Sequence, residues 1–473
     1  MTATKTARAT HRKASEEAQT FYPPKQWPLL TRIVQSISHP LARLLYKCRI
    51  SVNEAGIDRV KAVDDARLIY VCNHPTMEDG ITLFVLSTRL GQLFHYVVAY
   101  EAFKGWMGWL IQHLGCYSIR RGLGDRTSIS QTLTLLKQPK CRLVIFPEGG
   151  CSYQNDTIMP FRTGAIQLPM SALSQLAKKA ESPADIPDFF IVPLSLKYRY
   201  QQPMQRVISD TLDQLEAQLG ISSADTSTDN YQRLRQVAHQ VILNIEDEAH
   251  LPPEEGMDWN KRIERLKQFF VQKCEAALNI EPVANLPLRE RVYKVQALLE
   301  DAENVESASQ GEGIAPKSTN QKGTNQKSTN QKGTNQKGTN QKNPNRAALF
   351  WDTVRLLNFD AIYDGYVAES PTAERFLDTL IRLEREVFHL EDAPRKAPRK
   401  ACFYIGEPIN LKDHLSEYKG DRAGTIDRIS EHLRQTMQQN LNQMSASKLS
   451  ENNFSASKLS ENKSSANNSS ANA

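Results

Sequence analysis

Short apolar runs alternate with amphipathic stretches of helical period between residues 67 and 200. The apolar runs predict strands at 67–72, 95–99, 116–120, 141–146 and 189–197. The stretches between them predict helices at 78–89, 103–113, 126–137 and 163–180. Alternation of this kind is typical of a sheet covered by helices. The sequence therefore predicts an α/β fold with a mixed sheet flanked by helices.

The segment that precedes this region has a different pattern. Residues 1–22 are polar and basic and predict a disordered N-terminus. Residues 25–50 predict N-terminal amphipathic helices, which His39-Pro40 kinks or divides. The apolar stripe of these helices consists of Leu29, Leu30, Ile33, Ile37, Leu41, Leu44 and Leu45. It fits either a helix that covers the core, which we favour, or one that faces a membrane.

A large helical insertion is predicted after the α/β core and its N-terminal helices, which together occupy residues 23–204. The insertion has two parts, 205–305 and 347–400, each with apolar stripes of helical period. Between them, residues 306–346 repeat Thr-Asn-Gln-Lys five times and predict a disordered linker, because almost nothing apolar is available to bury. Residues 401–440 predict a strand and a helix that rejoin the core, and 441–473 predict a disordered tail.

Composition narrows the function classes. The 473-residue chain has a formal net charge of +6, which fits an anionic membrane surface or a phosphorylated substrate. The sequence has no basic stripe with interleaved aromatic residues, so it does not indicate a nucleic-acid partner. The seven cysteines include no Cys-x-x-Cys pair, which argues against a disulfide framework and a zinc site. Without a signal-peptide core or an apolar run of about 18 residues, we expect peripheral association with the cytoplasmic side of a membrane.

His74 follows the first predicted strand, and Asp79 comes five residues later. The two side chains would diverge on one continuous helix, so they can meet only if His74 lies in the loop and Asp79 in the first helical turns. Pro75 supports this arrangement, because proline suits a helix start. Asp79 would then fix the imidazole tautomer and leave the other ring nitrogen to accept a proton. Alone, the pair fits a structural histidine better than a catalytic one.

Two further segments place polar residues at predicted strand ends. Arg120 and Arg121 end the strand at 116–120, and arginine suits bidentate binding of phosphate. Glu148 and Gly149 follow the strand at 141–146, in a glycine turn whose backbone N–H groups can approach an anion. Because ligands bind where strands end in such folds, we expect His74 and Glu148 to converge on one edge of the sheet.

Together these segments resemble the glycerolipid acyltransferase family. The family's Asn-His-x4-Asp block matches Asn73, His74 and Asp79. Its Gly-x-x-Phe-Ile-x-Arg block matches Gly115, Ile119 and Arg121, with Ser118 in place of phenylalanine. Its Phe-Pro-Glu-Gly-Thr-Arg-Ser block matches Phe146, Pro147, Glu148, Gly149 and Ser152, with Gly150 and Cys151 in place of threonine and arginine. Phe161–Ala165 and Ile191–Leu194 resemble later blocks, so the resemblance spans about 67–200, with Gly406-Glu407-Pro408 in addition.

The resemblance implies a fold like that of glycerol-3-phosphate acyltransferase and a division of roles. His74 would be the general base, oriented by Asp79, and the acceptor hydroxyl would attack the thioester of acyl-CoA or acyl-carrier protein. Arg121, Glu148 and Gly149 would bind the polar head of a glycerol phosphate acceptor, such as 1-acylglycerol 3-phosphate. No further cofactor and no metal is implied. Arg120 and Arg162 are the candidates to supply the charge that is missing at Cys151.

Two other functions stay open at the level of sequence. A hydrolase or covalent transferase could use Cys151 as nucleophile with His74 as base, although no Gly-x-Ser-x-Gly elbow occurs. A catalytically silent lipid-binding protein could use the same fold, although the intact His74 and Asp79 pair argues against it.

Overall fold

The computed structural model describes residues 21–222, 229–254, 256–283, 286–311, 344–360, 363–392 and 394–446. The predicted disordered N-terminus therefore lies almost wholly outside the described residues, as do most of the repeat linker and most of the tail. Helices extend into the predicted linker and into the predicted tail. One helix runs to Gly311, another begins at Pro344, and the last ends at Ala446.

An eight-stranded sheet forms the centre of the molecule. Its strands are β1 (Cys48–Val52), β2 (Arg67–Cys72), β3 (His95–Ala99), β4 (Cys116–Ile119), β5 (Arg142–Ile145), β6 (Phe189–Tyr200), β7 (Arg399–Ile405) and β8 (Ile409–Asn410). The order across the sheet is β1-β7-β6-β2-β5-β3-β4, with β8 beside β6. Only β6 with β7 and β6 with β8 are antiparallel. The predicted α/β fold with a mixed sheet is confirmed.

Helices cover both faces of the sheet. In the first part of the chain they are α1 (Pro28–Leu45), α2 (Glu54–Ala62), α3 (Asp79–Leu90), α4 (Gly105–His113), α5 (Arg126–Lys137) and α6 (Gly164–Ala177), and at its end α14 (Leu415–Gly420) and α15 (Arg422–Ala446). Strand β2 is buried on both sides, because Ile69 packs towards α6 and α15 whereas Tyr70 packs towards α3. Burial on both faces explains why β2 reads as an unbroken apolar run.

A helical region with its own core occupies the chain between β6 and β7. Its helices are α7 (Gln205–Leu219), α8 (Asn230–Glu248), α9 (Trp259–Ala277), α10 (Leu288–Gly311), α11 (Pro344–Phe359), α12 (Tyr366–Glu369) and α13 (Ala373–Val387). Predicted stripe residues such as Val237, Phe270 and Leu380 are buried together in this core. Two arginine–glutamate pairs, Arg233 with Glu216 and Arg262 with Glu246, join neighbouring helices at its edge.

The interpretation of residues 25–50 as entirely helical is wrong at its C-terminal end. Helix α1 ends at Leu45 and continues through Pro40 without dividing, and Cys48–Val52 forms strand β1. Strand β1 pairs in parallel with β7, so its partner lies about 350 residues away in the chain. A local sequence pattern contains no sign of such a distant pairing.

Candidate active site

Parallel pairing of β2 with β5 brings the two central motifs together. Val71 is paired with Ile145, and His74 and Glu148 each come three residues after their member of that pair. Both residues therefore lie beyond the same edge of the sheet, at equal distances in sequence from the paired residues of their strands. This register gives a structural reason for the convergence that the strand-end argument predicted.

His74 and Asp79 form a hydrogen-bonded pair. His74 Nδ1 lies 2.7 Å from Asp79 Oδ2, and Asp79, the first residue of α3, is completely buried. The carboxylate also accepts hydrogen bonds from Thr76 N at 3.0 Å, Thr76 Oγ1 at 2.8 Å and Tyr198 Oη at 2.7 Å. A carboxylate surrounded by donors favours the tautomer with hydrogen on Nδ1. Nε2 is then the basic nitrogen of the ring.

The loop after β5 supports the imidazole from two sides. The ring of Phe146 stacks on that of His74, with the ring centroids 4.2 Å apart. Ser152 N donates a hydrogen bond of 2.8 Å to the carbonyl oxygen of His74. The Phe-Pro-Glu-Gly turn and the histidine loop are therefore one packed unit, and the histidine ring has little freedom to rotate.

Glu148 lies in the same unit with its carboxyl group buried. Burial raises the pKa of Glu148 to about 8, although the charge of Arg289 acts in the opposite direction. Oε1 accepts a hydrogen bond of 3.4 Å from Met159 N, whereas Oε2 has no partner within the described part of the chain. The carboxyl group therefore keeps a proton near neutral pH, and its Oε2 is buried without a partner among the described residues.

The two arginines predicted at the end of β4 have different surroundings. The Arg121 guanidinium lies 4.6 Å from the ring centroid of Tyr293 and 3.8 Å from Glu101. Arg120 forms an ion pair with Asp301 of α10. Arg162 lies on another side of the Tyr293 ring, 5.5 Å from its centroid. The structure thus brings Arg121 and Arg162 to one aromatic residue and leaves Arg120 in a pair of its own.

Residues 149–152 form a turn whose carbonyl groups face the helical region. Gly149 has a φ of 75°, a left-handed conformation that favours glycine. Arg289 Nη1 donates to the carbonyl oxygen of Gly150 at 3.2 Å, and Arg382 Nη2 donates to that of Ser152 at 2.6 Å. Two guanidinium groups from outside the α/β core therefore fix the turn.

The sequence interpretation missed three residues of this site: Tyr198, Arg289 and Arg382. Tyr198 lies on β6, the other parallel neighbour of β2, and reaches Asp79 because the strands are in register. Arg289 and Arg382 lie on α10 and α13. No local motif marks these side chains, because their roles depend on packing between distant parts of the chain.

Comparison with known proteins identifies the core. Residues 51–197 match the family model described as Acyltransferase. This part of the chain is an acyltransferase domain of the glycerolipid acyltransferase family. No curated protein sequence matches the chain. The matched range contains β2 to β6, His74, Asp79, Arg121 and Glu148, and it ends before the helical region that carries Arg289 and Arg382.

A cavity of about 440 Å³ lies beside residues 75–78, which follow His74 in the acyltransferase domain. Pro75 and Glu78 line it, together with Tyr200 at the end of β6. Glu78 forms ion pairs with Arg395 at 3.1 Å and with Arg399 at 2.8 Å. Both arginines belong to residues 393–400, in which the sequence Ala-Pro-Arg-Lys occurs twice. The cavity wall is therefore partly built by residues just before β7 and by the first residue of that strand.

Helix α1 of the acyltransferase protein exposes its apolar side. The exposed apolar side chains there and on α4 are Trp27, Leu29, Ile33, Ile37, Leu41, Leu44, Leu45, Trp106, Met107 and Trp109, which we call the apolar surface. The two elements adjoin, since Lys25 N and Trp27 N donate to carbonyl groups at the end of α4. Thr31, Gln35 and Ser38, on the opposite side of α1, are buried. The expectation that this apolar stripe covers the core is therefore wrong, because α1 packs against the protein through its other side.

Two negative observations hold for the described residues of the chain. No helix among them is both long enough and apolar enough to cross a membrane. They also contain no group of three or more histidine, cysteine, aspartate or glutamate side chains placed to bind a metal ion.

Proposed function

We propose that this acyltransferase moves a fatty acyl group from acyl-CoA or acyl-carrier protein to a hydroxyl of a glycerophospholipid precursor, with 1-acylglycerol 3-phosphate as the preferred acceptor. The His74–Asp79 pair carries the proposal. Its Nδ1 to Oδ2 distance of 2.7 Å and the burial of Asp79 fit a histidine that is oriented to act as a base.

In the proposed reaction, His74 Nε2 accepts the proton of the acceptor hydroxyl as its oxygen attacks the thioester carbonyl carbon. The carbon–sulfur bond then breaks, and the leaving thiolate takes the proton from the imidazolium. Asp79 stabilises the imidazolium through the hydrogen bond to Nδ1 and stays ionised itself. The products are an ester and a free thiol, and the reaction needs no metal and no cofactor beyond the acyl donor.

The acceptor head group would bind on the Glu148 side of His74. Arg121 offers a guanidinium to a phosphate, and the Glu148 carboxyl, which keeps its proton near neutral pH, does not repel one. The turn at Gly149 allows close approach of the Arg162 guanidinium, which a Cβ atom at this position would overlap. Arg120 would contribute charge from a greater distance, because Asp301 already pairs with it.

The acceptor and product are lipids, and we propose that the enzyme works while bound peripherally to a membrane through the apolar surface. Leu44 is 76% exposed and Trp106 is 72% exposed. Contact of such large apolar side chains with water is unfavourable. Tryptophan suits the membrane–water interface, and Arg32 and Arg43 on α1 suit anionic lipid head groups. We place this membrane face on the cytoplasmic side.

A covalent mechanism through Cys151 has less support. Burial raises the pKa of the Cys151 thiol well above its usual range, so the thiolate needed for attack is disfavoured. The variant Cys151→Ser separates the two mechanisms, since a serine at this position keeps the volume and removes the thiol. Under our proposal this variant retains acyl transfer, and complete loss in a folded variant would favour the covalent route.

The proposed function is tested with purified protein, labelled acyl-CoA or acyl-carrier protein, and a panel of lyso-lipid acceptors. The variant His74→Ala is expected to lower acyl transfer at least about 100-fold, because general-base catalysis contributes that much or more. His414→Ala is the matched control, since His414 is a half-exposed histidine paired with Glu417 far along the chain. Near-normal transfer by folded His74→Ala protein would contradict the proposal.

The same panel distinguishes a catalytically silent lipid-binding protein. Such a protein would bind lyso-lipids without forming a product from any acceptor and donor combination. His74→Ala would then leave lipid binding unchanged and have no turnover to abolish.

A further inference from the structure

The acyltransferase domain departs from its family pattern at two adjacent positions, Gly150 and Cys151, where threonine and arginine are usual. Loss of the arginine removes a positive charge beside Glu148. Both candidates that the sequence offered are paired with acidic side chains of α10, since Arg120 pairs with Asp301 and Arg162 Nε lies 2.7 Å from Glu290. The same helix carries a third guanidinium, that of Arg289.

Helix α10 packs directly on the turn where the pattern changes. A Cβ atom added to Gly150 would overlap Tyr293 Oη, so the usual threonine would require this tyrosine to move. A Cβ atom added to Gly122 would lie 2.2 Å from Lys294 N, so the helix backbone is equally close at the end of β4. The glycine at position 150 is thus explained by α10, which lies outside the matched domain.

The same helix brings Arg289 to the second altered position. Arg289 Nη1 lies 3.2 Å from the carbonyl oxygen of Gly150 and 3.5 Å from that of Cys151. The residue is only 8% exposed, and its Nη2 has no hydrogen-bond partner within the described residues. Arg289 also exerts the largest charge effect on the pKa of Glu148. Arg162 Nη2 likewise has no partner among the described residues, so the contacts with the carbonyl oxygens of Gly150 and Cys151 distinguish Arg289.

We propose that Arg289 replaces the arginine missing at position 151 and binds the phosphate group of the acceptor together with Arg121. The inference rests on the proposed function for the identity of the acceptor, and it assigns the helical region a part in acceptor specificity. Asp360 pairs with Arg289 Nε and orients the guanidinium. In this arrangement the packing of α10 on the turn accounts for both Gly150 and Cys151.

Direct binding tests this proposal without any acyl donor, so its outcome does not depend on whether acyl transfer occurs. Calorimetry would measure binding of glycerol 3-phosphate, with glycerol as the probe that lacks the phosphate and inorganic phosphate as the probe that lacks the glycerol. Arg289→Gln is expected to weaken binding of glycerol 3-phosphate about tenfold or more, because a charge-assisted contact to the phosphate is lost. Arg289→Lys is expected to recover part of the loss.

Arg291→Gln is the matched control. Arg291 lies on the same helix and also forms an ion pair, with Glu275 at 2.6 Å, but it has no contact with the turn. Its removal is expected to change thermal stability by a similar amount and to leave binding of glycerol 3-phosphate unchanged. In turnover assays, Arg289→Gln should raise KM for the phosphorylated acceptor at least tenfold and leave KM for the acyl donor unchanged.

Three results would overturn the proposal. Equal loss of binding in the variants of Arg289 and Arg291 would mean that both act only through the fold. Unchanged binding in folded Arg289→Gln protein would remove Arg289 from the site. Tighter binding in that variant would mean that α10 obstructs the anion site.

Discussion

Helices α1 and α13 have similar sequence patterns and opposite environments. Both carry an apolar stripe of helical period. In α13 that stripe is buried, with Phe376, Leu377 and Leu380 in the core of the helical region. In α1 the apolar side is exposed, and the helix contacts the protein through Gln35, Ser38 and Thr31. Periodicity therefore identifies the two sides of a helix and does not tell which side meets the protein.

Hydrogen bonds explain how α1 packs through its polar side. Gln35 Nε2 donates to Ser87 Oγ at 2.8 Å and to the Gln92 carbonyl oxygen at 2.9 Å. Ser38 Oγ lies 3.3 Å from Thr88 Oγ1. These contacts join α1 to α3, the helix that begins with Asp79. The helix that we propose binds the membrane is therefore attached to the helix that carries Asp79, the residue proposed to orient His74.

The largest expected effect comes from the buried stripe of α13. Leu380→Ala should lower the free energy of unfolding by about 2–5 kcal/mol, because it leaves a cavity at a fully buried position. The matched change on α1, Leu44→Ala, should alter it by less than about 0.5 kcal/mol. Urea denaturation followed by circular dichroism measures both. Equal losses would mean that the α1 stripe also packs against protein and would end the contrast.

A smaller effect is expected from the buried polar side of α1. Gln35→Leu should cost about 1–3 kcal/mol, because the carbonyl oxygen of Gln92 and the hydroxyl of Ser87 lose a buried donor. Ser36→Ala, on the exposed side of the same helix, is the control and should cost less than about 0.5 kcal/mol. The same denaturation experiment compares them. A stabilised Gln35→Leu protein would show that α1 can pack through apolar contacts instead.

The smallest effect on stability, with a large effect on lipid binding, is expected from the apolar surface. The double variant Ile37→Ser and Leu44→Ser should leave the melting temperature nearly unchanged. It should bind vesicles of phosphatidylcholine and phosphatidylglycerol at least about tenfold more weakly, because each aliphatic side chain contributes roughly 1.5–3 kcal/mol on burial. Vesicle sedimentation measures the binding, with Ser36→Ala as control. Unchanged binding by the folded double variant would remove the apolar surface from the membrane proposal.

Local pattern sufficed for much of the acyltransferase domain. The predicted strand at 67–72 is β2 at Arg67–Cys72, and the predicted strand at 95–99 is β3 at His95–Ala99. Strand β2 is buried by helices on both faces, so its apolar run is unbroken. Strand β1 was missed because its pairing with β7 depends on residues far away in sequence.

The site divides in the same way. His74, Asp79 and Glu148 stand at strand ends within recognisable blocks, and the parallel register of β2 with β5 brings His74 and Glu148 together. Tyr198 escaped notice because its hydroxyl reaches Asp79 across the sheet. Arg289 was not predicted, because the sequence of the helix that carries it does not indicate that this helix packs on the turn at Gly150.

The sequence by itself determined the order of strands and helices in the core and the identity of the residues that carry the proposed chemistry. These are consequences of local periodicity and of residue type at strand ends. Only the tertiary structure decided which side of α1 is exposed, where β1 pairs, and that Arg289 lies beside Glu148. Each of these depends on contacts between residues far apart in the chain, and packing between distant segments leaves no periodic trace in either segment.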